Sequence, residues 1–173
     1  MIVVLIGYMA SGKSSLGKVL ATRLNYNFID LDDFIETKEK MTIKNIFDTK
    51  GEIYFRKVES LYLKELIHDV NDTVLSVGGG TPCYGSNMRT VLDSDNVKSI
   101  YLKASIPSLI NRLKNEKFKR PLISHIKTNH ELTEFIGKHL FERSSYYDQA
   151  HFKIMTDNKS KEEIVEEIIK ALI

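Results

Sequence analysis

Residues 7–14 read Gly-Tyr-Met-Ala-Ser-Gly-Lys-Ser, with four residues between the two glycines and a lysine and a serine directly after the second. Several negatively charged oxygens can be surrounded by backbone N–H groups only where no Cβ intrudes, which is the use of a glycine at each end of such a turn. The spacing meets the phosphate-loop pattern in full, so Ala10, Ser11, Gly12, Lys13, Ser14 and Ser15 are expected to hold the phosphates of a nucleoside triphosphate. Lys13 would reach the β- and γ-phosphates, and the Ser14 hydroxyl would ligate Mg2+. The competing reading, a glycine-rich turn with an incidental lysine, does not account for the flanks. The apolar run Ile2–Ile6 precedes the motif and an amphipathic stretch follows it. A helix beginning at Ser14 would add its positive N-terminus to the cradle.

Three other stretches carry chemistry. In Phe28-Ile-Asp-Leu-Asp-Asp-Phe-Ile-Glu36, Asp30 and Asp32 are two apart, so on a strand both carboxylates would face one side. One would hold Mg2+ through water and the other would meet a substrate hydroxyl; the alternative is a helix cap, for which Asp33 is the better candidate. Arg56 and Glu59 are three apart on a helical stretch and share a face. An arginine held by an acid can present its fork to a carboxylate ligand, although an ordinary surface ion pair has the same spacing. Gly78-Gly79-Gly80 closes the apolar run Thr73–Val77, where it either lets a backbone approach a ligand or serves as a plain connector.

Apolar runs of strand length alternate with amphipathic stretches along the chain, predicting strands over 2–6, 27–31, 73–77, 97–102 and 151–155. Helices are expected over 14–24, 33–39, 42–49, 52–70, 86–92, 106–114 and 130–148. Ser160-Lys-Glu-Glu163 fits a capping box that opens a last helix with Ile164, Val165, Ile168, Ile169 and Leu172 on one face. Such alternation argues for a parallel sheet with helices on both faces and a ligand cleft at the carboxyl ends of the strands. Three of the four unusual stretches follow strands.

The remaining features set limits. A length of 173 residues predicts one domain, and 42% hydrophobic residues supply a core. Twenty-five basic against 23 acidic residues leave a net charge of +2, which predicts no general affinity for nucleic acid. Cys83 is the single cysteine, so neither an intrachain disulfide nor a cysteine zinc site is available, and its expected role is packing. No apolar run reaches membrane-spanning length, and Met1–Ile6 lacks the basic start of a signal peptide. A cytoplasmic, monomeric protein is expected. The basic segment with Lys114, Lys117, Lys119 and Arg120 reads as a mobile loop able to cover phosphates, or as a solvated charge run.

Taken together, the chain resembles the shikimate kinase family over almost its whole length. GYMASGKSSLGKVLA is similar to that family's phosphate loop and first helix, FIDLDDFIE to its D-x-D-x-x-I-E segment, and IFDTKGEIYFRKVES to its I-F-x-x-x-G-E-x-x-F-R-x-x-E stretch. VLSVGGGTP, KRPLI and FERSSYYDQA resemble its glycine triplet, its R-P-L lid and its R-x-x-x-Y segment. The phosphate loop alone is widely shared; FR-x-x-E combined with GGG and RPL is specific. The resemblance implies a five-stranded parallel sheet in the order 2-3-1-4-5, an acceptor-binding region over about 32–60 and a lid over about 113–128 within one domain. It implies transfer of the γ-phosphoryl group of ATP to the 3-hydroxyl of shikimate. Asp32 would act on that hydroxyl, and Asp30 would hold Mg2+ through water beside Ser14. Arg56 and Arg143 would grip the acceptor's carboxylate against Gly78, Gly79 and Gly80. Arg120 would join Lys13 at the phosphates, and Arg112 and the segment Thr156-Asp157-Asn158 would lie near adenine. A gluconate or nucleoside-monophosphate kinase would share the fold but not this motif set. A guanine-nucleotide switch would want N-K-x-D, which Asn158-Lys-Ser-Lys161 fails at its fourth position.

Overall fold

The computed structural model describes residues 1–114, 116 and 122–173. Five strands form one parallel sheet: β1 (Ile2–Ile6), β2 (Asn27–Asp30), β3 (Thr73–Ser76), β4 (Val97–Lys103) and β5 (Phe152–Met155), in the order β2-β3-β1-β4-β5. This is the expected order.

Central β1 is paired on both edges and covered on both faces. All five of its residues are fully buried. Ile2, Val4 and Ile6 point to one side, where they join Leu63, Leu66, Leu132 and Ile136. Val3 and Leu5 point to the other, where they join Leu16, Leu20, Ile164, Val165 and Ile168. Each such side chain contributes about 1.5–3 kcal/mol relative to an exposed one. The second face is covered by α1 (Lys13–Leu24) and α7 (Lys161–Leu172). The first carries α2 (Leu31–Glu39), α3 (Ile43–Asp69), α4 (Asn87–Leu92), α5 (Ile106–Leu113) and α6 (Asn129–Tyr147). The capping box expected at Ser160 and Glu163 is formed, and an equivalent one from Thr128 and Glu131 opens α6. Among the described residues, no helix is long and apolar enough to cross a membrane.

The pairing register puts Leu5 and Asp30 both opposite Ser76. The loops leaving β1, β2 and β3 therefore start at one level. They carry the phosphate loop, the paired aspartates and the glycine triplet.

Two boundaries differ from expectation. Strand β2 stops at Asp30, not Leu31, because the Asp30 side chain caps the next helix by accepting from the Asp32 N–H at 3.1 Å. The capping role expected of Asp33 thus belongs to Asp30, and Asp33 sits in the first turn, where a negative charge suits the helix N-terminus. Asp32 consequently projects from α2 and not from the strand. The two helices expected over 42–49 and 52–70 are present but abut in α3 across a break at Gly51, whose φ of 83° and ψ of 172° lie in a region nearly reserved for glycine.

That break sets the direction of the half-helix carrying Arg56. Nothing lies within 4 Å of a Cβ built on Gly51, so Gly51→Ala isolates backbone strain from steric overlap. It is expected to lower unfolding free energy by about 1–3 kcal/mol in urea titration. An unchanged midpoint would show that the break does not depend on glycine.

Candidate functional site

A cavity of about 690 Å³ opens at the carboxyl ends of β1, β2 and β3. Its wall includes Ala10, Ser11, Gly12, Lys13, Ser14, Ser15, Asp30, Asp32, Gly78, Gly79 and Arg112. Eleven residues singled out in the sequence thus meet in one space.

The phosphate loop begins where β1 ends. Gly12 precedes α1 with φ 98°, and no side chain caps that helix, so its first N–H groups face the cavity uncapped. Ala10 is held at φ 61°, a left-handed conformation that side chains rarely adopt. Its carbonyl accepts from Arg112 Nη1 at 3.0 Å, which ties this strained peptide to α5. The Lys13 ammonium donates to the carbonyls of Gly7 and Tyr8 at 2.8 and 2.9 Å. Among the described residues, Ser11 Oγ is buried and makes no hydrogen bond.

The two aspartates occupy different environments. Asp30 accepts from Ser14 Oγ at 2.8 Å, joining strand end to phosphate loop. Asp32 is raised to about 6, first by burial and then by the negative charges of Asp30 and Glu59, with Lys13 pulling the other way. A hydroxyl and two carboxylates converging beside an uncapped helix start form a hard-oxygen donor set that fits Mg2+. Among the described residues, no group of three or more His, Cys, Asp or Glu side chains gathers to hold a metal. Mg2+ requires only one or two protein ligands where phosphate oxygens and water complete its shell.

Arg56 and Arg143 lie just beyond this wall, against consecutive glycines. A Cβ on Gly80 would stand 2.9 Å from Arg56 Nη2, and one on Gly79 would stand 3.2 Å from Arg143 Nη1. None of the three glycines has positive φ, so the triplet is small for the sake of space, not of backbone conformation. Arg56 Nη1 donates to Glu59 Oε1 at 2.8 Å, and Glu59 is only 1% exposed. The surface-pair alternative therefore does not hold.

Several contributors were not legible in the sequence. Thr81 Oγ1 donates to Glu59 Oε2 at 2.6 Å. Tyr147 Oη, one turn beyond Arg143, donates to the Gly79 carbonyl at 2.6 Å. Tyr8 is buried inside the phosphate loop, and its hydroxyl shares a 3.0 Å hydrogen bond with His139 Nδ1, one turn before Arg143. Burial and then the Arg143 charge hold His139 below its ordinary value. Helix α6 thus reaches the core of the site through a stripe four residues apart. That stripe was readable as a helix face, but its contacts are long-range.

Of the other expected contributors, Asp157 is described and Arg120 is not. Asp157 is not in the wall: both its carboxylate oxygens accept from the Ser105 N–H, at 3.1 and 3.2 Å. Burial raises this carboxyl, but hydrogen bonds from Ser108 and Ser105 outweigh it and hold the group low. Its neighbours Thr156 and Lys159 do line the cavity, and Arg112 Nη2 contacts Thr156 Oγ1 at 3.4 Å. Arg120, with positions 115, 117–119 and 121 of the expected lid, lies outside the described residues, while Ile123 and Ile126 of that segment are buried in the larger core cluster. Cys83 packs against the larger core cluster, as expected.

The family model described as Shikimate kinase matches residues 9–173. The shikimate kinase of Flavobacterium psychrophilum is 48% identical over 170 residues, covering 98% of both chains. The crystal structure of shikimate kinase from Bacteroides thetaiotaomicron superposes with a TM-score of 0.90 at 34% identity, covering 99% of this chain and 98% of that one. The shikimate kinase of Acinetobacter baumannii, solved in complex with shikimate, gives 0.85 at 28% identity, covering 99% and 92%. With a family match spanning the site and relatives matched end to end, this chain belongs to the shikimate kinase family.

Proposed function

We propose that the chain transfers the γ-phosphoryl group of ATP to the 3-hydroxyl of shikimate, yielding shikimate 3-phosphate and ADP. The observation that carries this reading is the pair of guanidinium groups, Arg56 and Arg143, set against Gly80 and Gly79 beside a half-buried Asp32 and a phosphate loop.

The loose transition state of phosphoryl transfer needs positioning and charge neutralisation more than a strong base. Backbone N–H groups of Ala10–Ser15 and the start of α1 take the phosphates, with Lys13 swinging from the loop carbonyls to the β- and γ-oxygens. Ser14 is assigned as a direct Mg2+ ligand and Asp30 as one acting through water; bound there, the ion would neutralise charge on the transferred group. Arg56 and Arg143 hold the acceptor carboxylate, which fixes the ring and selects one hydroxyl among several. Asp32 accepts that hydroxyl's proton as its oxygen bonds to phosphorus and the bond to ADP breaks. Arg112 belongs to the nucleotide end. Arg120 is carried over from the family pattern alone, as are the lid over about 113–128 and the acceptor region over about 32–60. The chain is read as acting as a monomer. The lone half-buried cysteine suits the cytoplasm.

Three outcomes test the reading. ADP should be released rapidly from Mg-ATP only when shikimate is present; equal rates without it would sink the assignment. Arg143→Ala should raise KM for shikimate roughly tenfold or more while leaving KM for ATP within about twofold, since charge-assisted bonds to a carboxylate are lost on one side only. The acid limb should report Asp32: kcat/KM for shikimate falls about tenfold per pH unit below about 6, as the carboxyl takes up its proton.

The same group makes a prediction about stability. Its folded value of about 6 lies above the unfolded 3.8, so the native state binds the proton more tightly. The fold therefore loses stability as pH rises through that window. Asp32→Asn should unfold at a higher temperature than the parent at pH 7.5, by on the order of 2 kcal/mol, with the gap closing by pH 4. Its turnover should fall by about 10²–10⁴-fold. A variant less stable at pH 7.5 would contradict the burial argument.

A further inference from the structure

The segment after the glycine triplet is built around Arg56. A 3-10 turn over Thr81–Cys83 carries the chain from Gly80 to Tyr84. Gly80 lies directly against the guanidinium. Thr81 holds the far oxygen of Glu59, whose near oxygen takes Arg56 Nη1. The turn itself is fixed by Asn87 Nδ2, which donates to the Thr81 carbonyl at 2.9 Å. Tyr84 closes the arrangement: its ring centre lies 3.8 Å from Arg56 Cζ, a stacking distance. The Tyr84 hydroxyl donates to Glu52 Oε1 at 3.0 Å, and that oxygen is 3.7 Å from Arg56 Nε. Tyr84 nevertheless remains 38% exposed, a large ring kept at the surface where burial does not account for it.

We infer that Tyr84 is a positioning residue for the acceptor: its ring, tethered through Glu52, holds the plane of the Arg56 guanidinium so that the fork meets a carboxylate edge-on. This rests on the reading of Arg56 as a carboxylate ligand. The physical logic is orientational. Glu59 fixes one nitrogen of the fork but leaves rotation about that contact. A ring stacked on its face removes the rotation, and the bidentate geometry that makes arginine selective for planar anions needs it removed. Glu52 in turn keeps the ring from swinging into solvent. The segment Gly80–Tyr84 thus supplies space, an anchor for Glu59 and a stacking face within five residues.

The test compares Tyr84→Leu, which removes the π-face but keeps bulk, with Tyr84→Phe, which keeps the face and loses the tether. Steady-state kinetics should give Tyr84→Leu a shikimate KM raised roughly five- to tenfold, with kcat and KM for ATP within about twofold of the parent. Tyr84→Phe should stay within about threefold throughout. A shikimate KM unchanged in Tyr84→Leu, or equal rises in both KM values, overturns the inference, as does Tyr84→Phe behaving like Tyr84→Leu. The arginine Nε–Hε NMR spectrum reads the clamp without any acceptor. Ring current should displace the Arg56 resonance in the parent and in Tyr84→Phe, and the displacement should vanish in Tyr84→Leu; a resonance indifferent to Tyr84→Leu counts against stacking. Should the parent prove inert toward shikimate while the resonance behaves as described, the acceptor assignment falls and the clamp stands. Should Tyr84→Leu fold poorly, Tyr84→Gln serves the same comparison, since the exposed ring edge tolerates a polar replacement.

Discussion

Everything at this site depends on how closely the backbone at Gly79 approaches the phosphate loop. A Cβ at that position would stand 3.4 Å from the Gly7 carbonyl oxygen, 3.5 Å from the Met9 nitrogen and 3.2 Å from Arg143. Strands β1 and β3 are hydrogen-bonded neighbours whose ends coincide in register, so their loops emerge side by side. The absence of a side chain lets them stay together beyond the sheet. The phosphate loop and the arginine pair therefore flank one piece of backbone, and their separation is set by strand pairing instead of by mobile side chains. Tyr147 secures the same point from a third direction through the Gly79 carbonyl. Reaction geometry that must hold within a fraction of an ångström is best built on such elements.

The two aspartates illustrate how neighbouring carboxylates acquire separate roles. Asp30 is engaged on both oxygens, by the Asp32 N–H and the Ser14 hydroxyl. These two bonds tie the end of β2 to both the start of α2 and the phosphate loop. Asp32 is two residues further into the same helix start and is half-buried among other negative charges. Its charge is opposed chiefly by Lys13, the residue that must also serve the phosphates. The fold's own local chemistry separates the two groups: Asp30 caps α2 and holds Ser14, and Asp32 is the one raised by its surroundings.

Much of the fold was legible because its signals are local. Periods of two and 3.6 residues, the β-branched run of β1 and the Ser160 capping box each reside within a few neighbouring positions, and the structure keeps them. The phosphate loop was legible for the same reason. What escaped was decided at a distance. Asp32 was assigned to the cavity on strand geometry, and it is there, but because Asp30 ends the strand and starts a helix. The glycine triplet reads as a place of close approach, yet what approaches is Arg56 and Arg143, from helices about 25 residues upstream and 65 downstream in the numbering. Tyr147 stands in the R-x-x-x-Y segment, but its bond to the Gly79 carbonyl, like the contacts of Tyr8 and Thr81, joins positions far apart in the chain and has no local signature. The segment at Asp157 shows the same limit: its carboxylate is engaged by Ser105 while the adjacent Thr156 lines the cavity, a division that no local pattern announces.

The Arg56–Glu59 pair shows why such arrangements persist despite their energetics. Taking two charges out of water costs several kcal/mol per ion, and a buried pair often contributes no more stability than apolar residues of the same volume. Here the enclosure is nearly complete on the glutamate side, where two donors, Arg56 and Thr81, occupy both oxygens. The arginine side is left short: among the described residues, Nε has no hydrogen-bond partner, its nearest acid standing at 3.7 Å. Glu59 is thus satisfied by the protein, and Arg56 is not. The pair is therefore unequal: the protein completes the glutamate's partners on both oxygens, and it holds the guanidinium through Nη1 while leaving Nε with no closer acid than Glu52.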